Sequence, residues 1–114
     1  MLVGGWTANV GEAAGSGATR LVSRIGQSKA LSRIASDLEG AAQASVDRLT
    51  SQLAAGNMNP GIGNRYLFNG ILEARARDGA RVYFRAAGNT VEFLAKSTKH
   101  TQDAVISLLQ RMYP

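Results

Sequence analysis

Arg75, Arg81, Lys96, Lys99 and His100 stand close together in the C-terminal half of the chain, with Glu73 and Tyr83 near them. Guanidinium and ammonium groups hold phosphates and absorb the negative charge that builds up when a phosphoryl centre is attacked. His100 is the sole histidine, and histidine ordinarily titrates near neutrality, which suits it to move a proton. Tyr83 offers a phenol that can stack on a base or donate a proton. Glu73 is either a base or an ion-pair partner for Arg75, and the second is the expectation.

Other chemistries fall away by inspection. There are no cysteines, so disulfides, thiolate metal sites and cysteine nucleophiles are excluded together. The acids are scattered and no His/Asp/Glu group has ligand spacing, so neither a metal nor a cofactor is expected. No Ser-His-Asp or Gly-x-Ser-x-Gly arrangement is present, nor a phosphate-binding glycine loop of Walker or Rossmann type. What remains needs only cations and proton carriers. RNA cleavage fits this inventory. The 2′-OH attacks the adjacent phosphate, Arg and Lys stabilise the developing charge, and a side chain moves protons; DNA, without a 2′-OH, is no substrate for such a site.

The charge distribution points the same way. The net charge is +5, but residues 1–57 carry five Arg/Lys against four Asp/Glu, giving +1, and residues 58–114 carry eight against four, giving +4. A basic half in a small domain is the footprint of a polyanion binder. At 114 residues the chain is one domain's worth. No apolar run approaches the roughly 20 residues of a membrane span, and the start lacks the basic and apolar blocks of a signal peptide.

The elements that must position these groups are legible by period. Residues 1–18 read as a loose Gly-rich lead-in, followed by a single domain over 19–114. Residues 19–56 read as helical. Leu21, Val22 and Ile25 mark a short first piece, Ser28 a new N-cap, and Leu31, Ile34, Leu38, Ala42, Val46, Leu49 and Leu53 one apolar stripe. Gly40 lies inside that stripe as a point of bending or splitting, and Gly56 is the expected stop. Residues 57–64 are turn chemistry, after which Tyr66, Leu67, Phe68 and Ile71 return to the core. From 71 to 96 the period is two, giving three strands separated by Asp78-Gly79 and Gly88-Asn89. A helix over 98–112, capped by Ser97 or Thr98, turns Ala104, Val105, Leu108, Leu109 and Met112 inward. The expected class is α+β, with N-terminal helices packed on a small antiparallel meander closed by a C-terminal helix.

Parity fixes a register. A two-residue Asp-Gly loop would mix core and surface residues on both faces, whereas a three-residue Arg77-Asp78-Gly79 loop pairs Leu72 with Phe84, Ala74 with Val82 and Ala76 with Ala80. A two-residue Gly88-Asn89 loop then pairs Phe84 with Phe93, Ala86 with Val91 and Arg85 with Glu92. It also pairs Tyr83 with Leu94 and Arg81 with Lys96. Arg75, Arg81 and Lys96 form a row on the outer face, next to the start of the last helix, whose N–H groups favour phosphate. Arg81, His100, Tyr83 and Arg75 are the expected catalytic residues, and Lys96, Lys99, Thr98, Arg77 and Glu73 the expected substrate contacts.

The segment from Leu72 to Arg85, with Arg81-Val82-Tyr83-Phe84 in its second strand, followed by Gly88 to Lys96 and Lys99, resembles the RelE/ParE toxin superfamily. The stretch from Asn59-Pro60-Gly61-Ile62-Gly63 onward looks like C-terminal toxin domains of contact-dependent or polymorphic bacterial toxins. The resemblance implies a metal-independent ribonuclease fold, with tRNA preferred over mRNA as substrate. It also implies delivery as part of a larger toxin, action in the cytoplasm of a target bacterium, and neutralisation by an acidic immunity protein or antitoxin. Arg81 matches the family's second-strand arginine, Arg75 its first-strand arginine, and Lys96 to His100 its basic segment after the third strand. Members of the family begin with a strand leading into a helical hairpin, and residues 1–18 show no such strand. The family also includes gyrase poisons, so a non-catalytic binder of nucleic acid or gyrase is an alternative, as is a basic protein-interaction domain.

Overall fold

The computed structural model describes residues 20–114; the lead-in expected over 1–18 lies outside the described residues. The first described element corrects the sequence reading. Residues 20–23 are not helix but a strand, β1 (Arg20–Ser23), with Leu21 fully buried. Four residues are too few to display a period, and the partner that makes them a strand lies far along the chain. β1 pairs in parallel with the last strand, setting Leu21 opposite Val91 and Ser23 opposite Phe93.

A single 3-10 turn (Ile25–Gln27) then leads to two helices rather than one continuous stripe. The first, α1 (Lys29–Ser36), begins as expected at Ser28, whose Oγ accepts the Leu31 N–H at 3.1 Å. The second, α2 (Gly40–Ala54), starts after a break in which Glu39 is extended and Gly40 takes φ 58°. Side-chain-bearing residues seldom tolerate that left-handed conformation, so the glycine marks a true junction. Gly56, at φ 99°, ends α2 with its N–H on the Leu53 carbonyl.

The sheet has five strands where the sequence shows three. To β1 are added β2 (Asn64–Phe68), β3 (Ile71–Arg75), β4 (Arg81–Ala87) and β5 (Thr90–Ser97), in the order β1-β5-β4-β3-β2. All neighbours are antiparallel except β1 and β5. Over β2 the sequence suggests only turn residues followed by a return to the core. Its hairpin with β3 is closed by Asn69 and Gly70, both at positive φ (49° and 82°), the geometry that the favoured two-residue hairpin turn requires. The final helix, α3 (Gln102–Met112), starts four residues later than expected; Val105 and Leu109 are buried, while Ala104 is exposed.

Both faces of the sheet are covered. α2 packs Val46, Leu49 and Leu53 against Ala74, Val82, Phe84 and Phe93. On the opposite face Leu31 of α1 and Val105 and Leu109 of α3 pack against Ile71, Tyr83, Leu94 and Ala95. Each fully buried Leu or Val here contributes about 1.5–3 kcal/mol of transfer free energy. The expected solvent-facing side of the meander is therefore a second core over most of its area, and the open cationic face shrinks to one end of it. Among the described residues no helix is long and apolar enough to cross a membrane.

Candidate functional site

The first hairpin has the expected register, with Leu72 opposite Phe84, Ala74 opposite Val82 and Arg75 opposite Arg81. Gly79 takes φ 94° in the turn, and the Ala76 N–H reaches the Ala80 carbonyl at 2.8 Å. The turn is anchored from outside. Asp78 accepts from the Ala80 N–H at 3.1 Å and from Ser45 Oγ of α2 at 2.8 Å. These donors, the Ala80 amide first, hold its carboxyl below the usual range. The start of β4, and with it Arg81, is fixed in place.

The second hairpin keeps the expected pairs near its turn, with Ala86 opposite Val91, Arg85 opposite Glu92 and Phe84 opposite Phe93. A bulge then intervenes. Tyr83 faces Ala95 rather than Leu94, and Arg81 faces Ser97 rather than Lys96. The physical cause is the apolar run Phe93-Leu94-Ala95. Successive residues point to opposite faces, both faces are cores, and the extra residue lets Leu94 and Ala95 both enter the second one. Lys96 is thereby turned to the α2 face, where its Nζ donates to Gln43 Oε1 at 2.8 Å. Burial lowers its pKa, with Asp47 opposing. It borders a separate groove of about 870 Å³ between α1 and α2 and does not belong to the cation row.

What the fold does assemble is a cleft of about 610 Å³ lined by residues 62–65 together with Glu73, Arg75, Arg81 and Gln102. Arg65, which the sequence reading passed over, comes from β2 and sits opposite Glu73. Gln102, also passed over, comes from the first residue of α3. Three arginines face one carboxylate, so the cleft is cationic despite the loss of Lys96.

Glu73 is 5% exposed and is the hub of the cleft floor. Oε1 accepts from Arg65 Nε at 2.8 Å; Oε2 accepts from the Tyr83 hydroxyl at 2.8 Å and from Gln102 Nε2 at 2.9 Å. Burial works to raise its pKa, but the combined donors Arg65, Tyr83 and Gln102 hold it below the ordinary value. Its expected partner Arg75 is instead exposed at the rim. A carboxylate so fully engaged is a poor base. Tyr83 is also withdrawn from the expected role. It is completely buried, its hydroxyl lies 2.9 Å from Ser97 Oγ, and burial pushes its pKa up. It can neither stack on a base nor readily give up a proton.

Arg81 is 7% exposed, and the outward-facing residue expected from parity is in fact part of the cleft wall. Its Nη1 donates to the Gly79 carbonyl at 2.7 Å. Its Nε lies 3.6 Å from Glu73 Oε2, close enough for attraction and too far for a hydrogen bond. Among the described residues it is a buried side-chain nitrogen with no hydrogen-bond partner. Lys99 and His100 are exposed in the turn before α3, where Thr98 accepts the His100 N–H at 3.2 Å and gives its own N–H to Thr101 Oγ1. Arg77 is exposed in the β3–β4 turn. The helix start proposed at Ser97 or Thr98 is occupied by this turn, and Ser97 is buried under Tyr83.

The chain matches no protein-family model, no curated protein and no solved structure. The chemistry of the cleft is what carries a functional reading.

Proposed function

We propose that this chain is an RNA-directed bacterial toxin domain that grips a phosphate of RNA in the Arg65–Arg75–Arg81 cleft and cleaves the chain there. The observation that carries the reading is the cleft itself, where Arg65, Arg75 and Arg81 meet a single carboxylate, Glu73. Three guanidinium groups against one carboxylate leave positive charge over, and a phosphate is the group that a guanidinium binds best. In cleavage, the 2′-OH loses its proton and bonds to the adjacent phosphorus while the 5′-oxygen leaves and takes a proton. The arginines stabilise the charge that accumulates on the non-bridging oxygens. With Glu73 engaged by three donors that lower its pKa and Tyr83 buried, His100 is the proton carrier of this reading. The order of a strand, a pair of helices, a meander and a closing helix supports the RelE/ParE-like reading, because the strand that family begins with has a counterpart in β1. An acidic immunity protein or antitoxin covering the cleft is the partner such a domain requires.

The withdrawal of Tyr83 and Glu73 favours a second reading, a RelE/ParE-like protein that binds nucleic acid or gyrase without cutting. Incubation of the purified chain with total RNA in EDTA separates the two. Discrete fragments are expected under the first. Retarded but intact RNA supports the second in its nucleic-acid-binding form, and RNA that is neither cut nor retarded overturns the first and leaves only binding to gyrase.

A further inference from the structure

The large hydrophobic side chains left exposed among the described residues are Met58 at 37%, Ile62 at 52% and Tyr66 at 63%. Single exposed apolar residues need no explanation. These fall within one short stretch that leads into and forms β2, the last strand of the sheet on that side. The Tyr66 ring is also held in place, since its hydroxyl accepts the Gly70 N–H of the following turn at 3.0 Å. A ring fixed at one end and open along its body presents a flat apolar surface at little entropic cost.

We infer that Tyr66 is a base-stacking platform, and that the RNA taken by this domain is single-stranded where it crosses β2. The inference rests on the reading above and names its substrate class. Arg65 and Tyr66 are consecutive on an edge strand and so project to opposite sides of it. Arg65 faces the cleft opposite Glu73, and Tyr66 sits opposite Leu72 on the α2 side. A polynucleotide that places a phosphate in the cleft and passes over the sheet edge meets the ring within a step of the chain. A basic groove for the backbone combined with an aromatic ring on which a base can stack is the pairing that single-strand binders use. Bases locked in a duplex offer no free face to such a ring.

The test compares three probes at one low salt concentration, each 2′-O-methylated so that it cannot be cut. They are a single-stranded oligonucleotide of about eight residues, spanning a typical single-strand site, the same backbone without bases, and a duplex. Tyr66→Ala should weaken binding of the base-bearing strand about tenfold or more, the scale of one lost stack, while leaving the abasic strand unchanged. Tyr66→Phe should hold both within about twofold, because it keeps the stacking face. Arg65→Ala should weaken both strands alike, since phosphate contacts carry no base information. The inference is overturned if Tyr66→Ala leaves the base-bearing strand unaffected, if it weakens the abasic strand equally, or if the duplex binds as well as the single strand. Wild-type protein that retains no oligonucleotide but holds polyglutamate would assign the edge to an acidic protein partner, and would remove the RNA reading with it. Wild-type protein that binds base-bearing and abasic strands equally removes only the stacking role.

Discussion

Arg81 and Glu73 are neighbours that do not close a hydrogen bond: the guanidinium Nε stands 3.6 Å from a carboxylate already filled by Arg65, Tyr83 and Gln102. The pair is held apart by its own surroundings. Arg81 is tied back to Gly79, and Gln102 and Tyr83 take the oxygen it would otherwise use. A buried cation attracted but not satisfied is poorly suited to stability and well suited to receiving an anion.

Arg81→Met tests that trade directly. It removes the cation beside buried Glu73, which keeps Arg65, Tyr83 and Gln102 as donors, so it is expected to cost only about 1 kcal/mol of stability. The same change should cut RNA cleavage by two or more orders of magnitude, on the order of 3 kcal/mol for one preorganised donor. Urea midpoints and single-turnover rates measure the two halves. A strongly destabilised variant with normal activity would make Arg81 a structural residue.

Glu73 gives the fold an acid-sensitive limb. Its folded pKa lies below the value in an unfolded chain, so its contribution is fully present above the unfolded value of about 4.3. It is lost as pH falls through the folded value. Glu73→Gln should flatten the loss of stability below about pH 4 relative to wild type. Glu73→Ala, which leaves Arg81 buried without its counter-charge, should cost about 3 kcal/mol at neutral pH. Denaturant midpoints across pH 2 to 7, a range set about that unfolded value, would show both effects. An identical acid limb in the Gln variant would dissociate Glu73 from it.

Much of this arrangement was legible in the sequence where the signals are local. Ser28, Gly56, the Arg77-Asp78-Gly79 turn and the Arg75–Arg81 pair follow from capping, helix termination and parity, each decided within a few residues. β2 was legible too, since Asn69-Gly70 between two short apolar segments is a strong hairpin signal; without it Arg65 was passed over and Glu73 was given the wrong partner. β1 had no local signal, because a four-residue strand is made by its distant parallel neighbour. The misplaced Lys96 came from assuming one buried face. Phe93-Leu94-Ala95 cannot all be core in a sheet with one wet side, and the bulge that accommodates them reverses the side chains beyond it.

Gly61 supports the cleft from behind. It has φ 71°, and a methyl group added there would collide with the Arg75 carbonyl and stand 2.6 Å from Leu49 Cδ2. A backbone carbonyl held in the edge pairing by the Ile62 N–H has little room to yield. Gly61→Ala should therefore destabilise by more than about 2 kcal/mol and weaken RNA binding through the displaced Arg75. Thermal melts together with a binding isotherm at low temperature, where the variant is folded, check both. Unaltered RNA affinity in that folded variant would remove Arg75 from the interface.

Binding should be strongly salt-dependent. Three to five phosphate contacts, drawn from the cleft arginines with Arg77 and Lys99, give a log–log slope of about −2 to −4 using the single-strand coefficient. A titration from low to moderate salt that stays flat would count against the cleft as the RNA site.

His100 and Arg85 provide the sharpest separation of chemistry from scaffold. His100 is exposed in the turn just before Gln102, and it is the side chain to which the proposed cleavage assigns the proton transfer. His100→Ala should slow cleavage about 10²-fold, the share of a general acid or base, with RNA affinity nearly unchanged. Arg85 lies nearer the other end of β4 and is spent on the scaffold. Its Nε donates to Glu92 at 2.8 Å, Arg24 holds the other oxygen of that carboxylate at 3.0 Å, and its guanidinium lies 4.4 Å from the Tyr113 ring centroid. Arg85→Ala should cost about 1 kcal/mol of stability, as a partly exposed ion pair with a ring contact would, and leave the cleavage rate within about twofold, since it touches nothing in the cleft. Single-turnover rates and affinities for both variants, compared at one pH and salt, decide the matter. If Arg85→Ala abolishes cleavage while His100→Ala does not, the reacting phosphate sits nearer the Arg85–Glu92 end of the sheet, and the cleft built by Arg65, Arg75 and Arg81 is not where RNA is cut.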